Sequence, residues 1–206
     1  MNEGWMDCGT MPDREKLPTP LDADSWAAAV EMYERRYTFV AVAPRAHDDW
    51  LHDVASIMRG ETADPRSWRT IDPDRAEEER EDDPAYPFIT PPEGGAGAEE
   101  WRSWLREVPR SSVGRLLVLL ATLALDVSRD SRFPERRVEM EESARVILAR
   151  CPDEARFFTN TSGGGVPPDF YQRISSCSPI SQYAWDLGLL WVSDEEVGLI
   201  WSFDPR

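Results

Sequence analysis

Residues 183–203, YAWDLGLLWVSDEEVGLIWSF, consist of two apolar runs separated by the polar stretch SDEE at 193–196. Aromatic and aliphatic runs of this length around a short polar break are typical of two β-strands joined by a turn. Because apolar side chains fall on both faces of each predicted strand, the hairpin should be central in its sheet or covered on both sides. Residues 183–192 and 197–203 therefore predict a β-hairpin inside the core.

The spacing within the hairpin predicts its register. A two- or four-residue connection places Gly188 opposite Trp201 and Gly198 opposite Trp191. In each pair the indole ring covers the exposed backbone of the glycine, which helps to fix the register of the strands. A three-residue connection would shift the strands by one position and remove both pairs, so the pairing is a specific expectation.

Upstream of the hairpin, five segments have the periodicity of helices and one has the composition of a strand. The first helix begins at Asp22 or Ser25, the others cover residues 46–58, 98–108, 112–128 and 135–151, and the strand covers residues 37–43. Helices and strands do not alternate strictly. The sequence therefore predicts an α+β fold, with about five helices packed on a small antiparallel or mixed sheet that includes the C-terminal β-hairpin.

The 206 residues are enough for one domain with an ordinary core. We expect residues 1–24 to be a flexible N-terminal segment and residues 25–206 to form a single α+β domain. Residues 61–97 contain six prolines and three glycines and are strongly acidic. Such a composition buries little apolar surface to offset its ordering entropy, so this stretch is expected to be a loosely attached insertion.

The charge balance excludes several classes of partner. The chain has 39 acidic and 23 basic residues, a formal charge of −16, which argues against nucleic-acid binding and against docking on anionic membranes.

The longest apolar run, residues 116–125, would span only about 15 Å as a helix, half of a bilayer core. The three cysteines, Cys8, Cys151 and Cys177, lack the spacing of a disulfide framework or a zinc site. We expect a cytoplasmic protein without a cofactor.

Residues 72–83 contain eight acidic side chains and two arginines. They lack the oxygen spacing and the glycine of a calcium-binding loop. Such a run is either a solvated segment or a surface that attracts a basic partner electrostatically. In the second case a nearby aromatic residue such as Trp68 would supply an apolar contact in the interface. The predicted partner-binding residues are Trp68, Asp72, Asp74, Glu77, Glu78, Glu79, Glu81, Asp82 and Asp83.

A second candidate site involves the only two histidines of the chain, His47 and His52. Asp48 and Asp49 precede His52 by four and three residues, a spacing that places carboxylate and imidazole groups near each other on one helix. This set would suit a metal or acid–base site. On a continuous helix His47 would lie about 140° away from His52, so the two imidazoles are not expected to converge.

These observations favour a non-catalytic acidic interaction module that binds a basic protein, with an immunity or antitoxin-type inhibitor as the expected role. The alternative is a small enzyme that uses Asp48, Asp49 and His52 as a metal or acid–base site.

Overall fold

The computed structural model describes residues 21–34, 37–92 and 94–205, so the predicted flexible segment lies mostly outside the described residues. The fold is α+β, as expected, and consists of helices packed on a five-stranded antiparallel sheet. The helices are α1 (Ala23–Val30), α2 (Trp50–Met58), α3 (Glu79–Asp82), α4 (Gly94–Trp104), α5 (Arg110–Leu120) and α6 (Phe133–Arg150). The strands are β1 (Thr38–Pro44), β2 (Arg106–Val108), β3 (Arg156–Thr159), β4 (Trp185–Val192) and β5 (Glu196–Asp204).

The C-terminal hairpin has the predicted register. In the strand order β1-β5-β4-β3-β2, the hairpin strands β4 and β5 are internal. Gly188 lies opposite Trp201, and Trp191 lies opposite Gly198. A Cβ atom added to Gly188 or to Gly198 would come within 1.9 Å of the indole ring opposite, so each ring lies directly on its glycine.

The sheet is covered on both faces, as the two-sided apolar pattern of the hairpin indicates. Leu187, Leu189 and Trp191 of β4 pack into a cluster with α1, α5 and α6 on one face. Leu190 and Val192 pack into a second cluster on the other face, which includes side chains of α2 and α4. Alternate residues of one strand thus enter two different cores, because successive side chains of a strand point to opposite faces.

Several helix boundaries differ from the predicted ones. The helix expected over residues 46–58 begins only at Trp50, and the helix expected over residues 98–108 ends at Trp104, after which residues 106–108 form the edge strand β2. The apolar helix expected over residues 112–128 ends at Leu120, and the next turn contains Ala124 and Leu125 at positive φ. The strand β2 depends on tertiary pairing, because its three residues, Arg106–Val108, pair with β3.

The segment 61–97 contributes to the core more than its composition suggests. Ile71 and Val40 exchange two backbone hydrogen bonds, which fasten the segment to the outer edge of β1. Ala85 and Phe88 are buried in the cluster that contains α2. These few apolar residues anchor the acidic stretch at both ends, although its average composition is that of a solvated loop.

A buried arginine joins the same segment to the hairpin. Arg150 at the end of α6 donates two hydrogen bonds to Asp64, at 2.6 and 3.0 Å, and two to Glu196, at 3.0 and 3.2 Å. Its guanidinium carbon lies 4.9 Å from the ring centroids of both Trp26 and Trp68. The charge is therefore fully paired in the core, which is the condition under which a buried arginine is tolerated.

Within the described part of the chain, every helix is too short or too polar to cross a membrane.

Candidate acidic surface and histidine pair

Five exposed carboxylates lie together on the acidic segment. Glu77, Glu78, Glu79, Glu81 and Asp82 occupy α3 and the turn before it, and all five side chains are exposed. Among the residues that the structure describes, none of the five has an ion-pair partner, although arginines pair with acids at many other surface positions. We call these five residues the acidic surface.

Arg80 holds the acidic surface in place from beneath. Its side chain is only 11% exposed. Its Nη1 donates to Oδ1 of Asp72 at 3.1 Å and to the carbonyl of Tyr86 at 2.7 Å, and its Nη2 donates to the carbonyl of Met58 at 3.1 Å. The one basic residue within α3 is therefore used to fasten the helix to α2 and to the chain that follows. It does not neutralise the exposed acids around it.

Three of the other residues expected to bind a partner have contacts within the protein. Oδ1 of Asp72 accepts the hydrogen bond from Nη1 of Arg80. Asp83 is exposed, but its Oδ1 accepts a 3.0 Å hydrogen bond from the backbone N–H of Ala85. Trp68 is half-buried, with its ring centroid 5.9 Å from that of Trp26. Trp68 thus packs against the core cluster, and only part of its surface faces solvent.

Asp74 is the exception in the acidic run, because it is fully buried. Neither of its carboxylate oxygens has a hydrogen-bond partner among the described residues. Burial raises the pKa of Asp74 to about 6, the nearby charge of Arg80 opposes this rise, and Glu77 and Glu79 add to it. A carboxyl group that sits at zero exposure beneath a layer of like charges resists ionisation, which makes Asp74 sensitive to pH.

The histidine region is arranged differently from the predicted one. Nδ1 of His47 lies 2.7 Å from Oδ1 of Asp53, a residue that is 2% exposed. The same carboxylate accepts a 3.1 Å hydrogen bond from Nε of Arg45 and a 3.2 Å hydrogen bond from the backbone N–H of Ala46. With its Nδ1 held in this way, the imidazole of His47 is half-exposed and oriented by a buried carboxylate.

The two imidazoles meet because α2 begins at Trp50. His47 lies in the loop before the helix, so the angle of about 140° expected between His47 and His52 on a continuous helix does not apply. Its ring centroid is 5.6 Å from that of His52, with an angle of 63° between the ring planes. Sequence reasoning missed Asp53, whose only signal was its position six residues after His47.

Asp48 and Asp49 do not join the imidazoles in a three-residue site. Asp48 is exposed, and Asp49 is the N-cap of α2, where its Oδ1 accepts from the N–H of Leu51 at 3.2 Å. The other oxygen of Asp49 accepts a 2.6 Å hydrogen bond from Arg102. Across residues 21–34, 37–92 and 94–205, no group of three His, Cys, Asp or Glu side chains is placed to hold a metal ion.

A cavity of about 450 Å³ opens between β1 and the segment that follows α2. Its lining combines apolar side chains of β1 with Arg59, Arg75 and Arg80 and with the carboxylates of Asp64 and Asp72. Three of these groups already serve structural contacts, since Arg80 pairs with Asp72 and Asp64 pairs with Arg150 of α6. The cavity therefore borders the residues that hold the acidic surface in place.

The chain matches no protein-family model, no curated protein and no solved structure.

Proposed function

We propose that this protein binds a basic partner protein through the acidic surface. The observation that supports the proposal is the exposure of five neighbouring carboxylates, without cationic partners among the described residues, on a segment held by Arg80. Like charges held close together repel one another, so this arrangement costs stability in the free protein. A partner with a complementary basic patch relieves the repulsion when it binds.

Charge and exposure together favour a protein as the partner. The formal charge of −16 opposes binding to phosphate backbones and to anionic lipid surfaces. Ile89 lies three residues after Tyr86, whose carbonyl accepts from Arg80, and the Ile89 side chain is 63% exposed. Electrostatic attraction brings two proteins together in the correct orientation, and apolar contacts then stabilise the interface. The exposed Ile89, close in sequence to the acidic surface, can supply such a contact.

Within this proposal, the immunity or antitoxin-type role expected from the sequence is the finer hypothesis. An acidic protein that covers the basic substrate groove of an enzyme inhibits that enzyme. The finer hypothesis predicts that the partner is an enzyme with a basic active-site surface and that its activity falls in proportion to the fraction bound.

The experiment compares wild type with two variants of equal charge. The first variant neutralises the acidic surface with Glu77→Gln, Glu78→Gln, Glu79→Gln, Glu81→Gln and Asp82→Asn. The control neutralises five exposed acids elsewhere with Glu99→Gln, Glu100→Gln, Glu135→Gln, Glu139→Gln and Glu154→Gln, none of which has an ion-pair partner in the described part of the chain.

Each protein is immobilised and exposed to an extract of its native cells, the retained proteins are identified by mass spectrometry, and the purified candidates are titrated by calorimetry. We expect wild type and the control to bind the same basic protein, and the acidic-surface variant to bind it at least about a hundredfold more weakly, or about 3 kcal/mol. A partner bound equally well by all three proteins, or a partner without a basic surface, would overturn the proposal.

A further inference from the structure

The two imidazoles of the chain form a pair that the proposed function does not use. His47 and His52 come from a loop and from a helix, and yet their ring centroids are 5.6 Å apart. In a tetrahedral site with metal–nitrogen bonds of about 2.0–2.1 Å, two imidazole centroids lie about 5 Å apart. The observed spacing therefore matches two imidazoles that share one ion.

The hydrogen bond of His47 leaves the right nitrogen available. Its Nδ1 is engaged with Oδ1 of Asp53 at 2.7 Å, so Nε2 is the nitrogen that can donate its lone pair to a metal. Histidine ligands commonly make this second contact to a carboxylate, which fixes the tautomer and increases the basicity of the ligating nitrogen. Asp53 is itself held by Arg45 and by the backbone N–H of Ala46, so the orienting group is rigid.

The geometry points to a new site: we propose that His47 and His52 together bind a divalent transition-metal ion of the zinc type. Imidazole nitrogen suits zinc, copper and nickel, whereas calcium and magnesium prefer oxygen ligands. Solvent fills the other positions of the ion, because only two side chains of the described chain converge there. Such a site is open and exchangeable, and a bound ion would link the loop after β1 to the first turns of α2.

The alternative ligand set from the sequence analysis, Asp48 and Asp49 with His52, is distinguished by its carboxylates. Asp49 already caps α2 and pairs with Arg102, so a metal would have to displace both contacts. Asp48 is exposed and is adjacent to His47 in sequence. Asp48→Asn is therefore the matched control, because it removes a neighbouring charge but neither imidazole.

The test uses the full chain, stripped of metal with a chelator and titrated with zinc chloride by calorimetry. Excess magnesium is present throughout, so that ions held only by the carboxylates of residues 72–83 do not contribute. We expect saturable binding of one zinc ion to wild type and to Asp48→Asn with the same affinity. His47→Gln and His52→Gln should each weaken the binding at least tenfold, in line with the removal of one of two protein ligands.

A second measurement needs no variant. Because the chain has only two histidines, its imidazole nitrogen resonances are few, and zinc should shift those of both rings together at one equivalent. No saturable zinc binding by wild type would overturn the proposal. Zinc binding with wild-type affinity in either histidine variant would also overturn it. Loss of binding in Asp48→Asn with full binding in His47→Gln would overturn it as well, and would favour the carboxylate set.

Discussion

Replacement of Asp74 by asparagine should change how stability depends on pH. The Asp74 side chain is fully buried and its oxygens accept no hydrogen bond from the described residues. Burial raises its pKa to about 6 from the ordinary value of 3.8. The native state therefore holds the Asp74 proton more tightly than the unfolded state does, and the stability associated with that proton is lost as the pH rises through about 6.

The size of this effect follows from the pKa difference. Each unit of pKa shift corresponds to about 1.4 kcal/mol, so ionisation of Asp74 costs the native state at most about 3 kcal/mol above pH 6. Below the ordinary pKa of the carboxyl group the cost disappears, because both states are protonated. Asparagine has nearly the same shape and cannot ionise. The free energy of unfolding of Asp74→Asn minus that of wild type should therefore rise by about 2–3 kcal/mol between pH 4 and pH 8.

Urea denaturation of both proteins at a series of pH values measures this difference directly. Glu78→Gln is the control, because it neutralises an exposed acid of the same segment, and the rise for Asp74→Asn should exceed any change that this control produces. A difference between Asp74→Asn and wild type that does not depend on pH would refute the reasoning. The same result would mean that Asp74 is solvated in solution.

Three further substitutions test the scaffold. Gly198→Ala should destabilise the protein by about 1–3 kcal/mol through its clash with Trp191, and by much less in a Trp191→Leu background, which a double-mutant cycle measures. Arg80→Gln should speed amide hydrogen exchange in residues 77–86, because the three hydrogen bonds of Arg80 fasten α3, while exchange in β4 and β5 stays slow. Unchanged exchange in residues 77–86 would argue against that role of Arg80. Arg150→Met should lower the free energy of unfolding by about 3–5 kcal/mol, because it removes the ion pair of the buried Asp64 and leaves Glu196 paired with Arg66 alone, and a neutral effect would contradict that assignment.

The hairpin could be predicted from the sequence because its information is local. Two apolar runs, a short polar break and glycines at positions that oppose tryptophans are sufficient to specify the register of β4 and β5. The short strands β2 and β3 carry no such signal, since they are three and four residues long and acquire their conformation from their neighbours in the sheet. The apolar stretch 112–128 has helical composition throughout, and the left-handed turn at Ala124 and Leu125 that ends its helical course has no glycine to mark it.

The candidate site could be predicted only in part. Composition indicated that residues 72–83 carry the strongest local charge, but it did not distinguish the buried Asp74 from the exposed Glu77 and Glu78, which depends on how the segment packs. The pair of His47 with Asp53 was missed for a similar reason. The helical pattern places His47 on a helix, whereas His47 lies in the loop before it. Because α2 begins after its N-cap residue Asp49, the loop brings His47 to Asp53.

The most direct test of the account is the salt dependence of the association rate with the captured partner, measured by stopped flow for wild type, the acidic-surface variant and the equal-charge control. Added salt screens charges beyond about 3–10 Å, so for wild type and the control we expect the rate to fall by about tenfold or more between low and high ionic strength. The acidic-surface variant should associate slowly at every salt concentration, with a nearly flat dependence. A wild-type rate indifferent to salt, or the same steep dependence in all three proteins, would contradict the claim that the five exposed carboxylates guide binding.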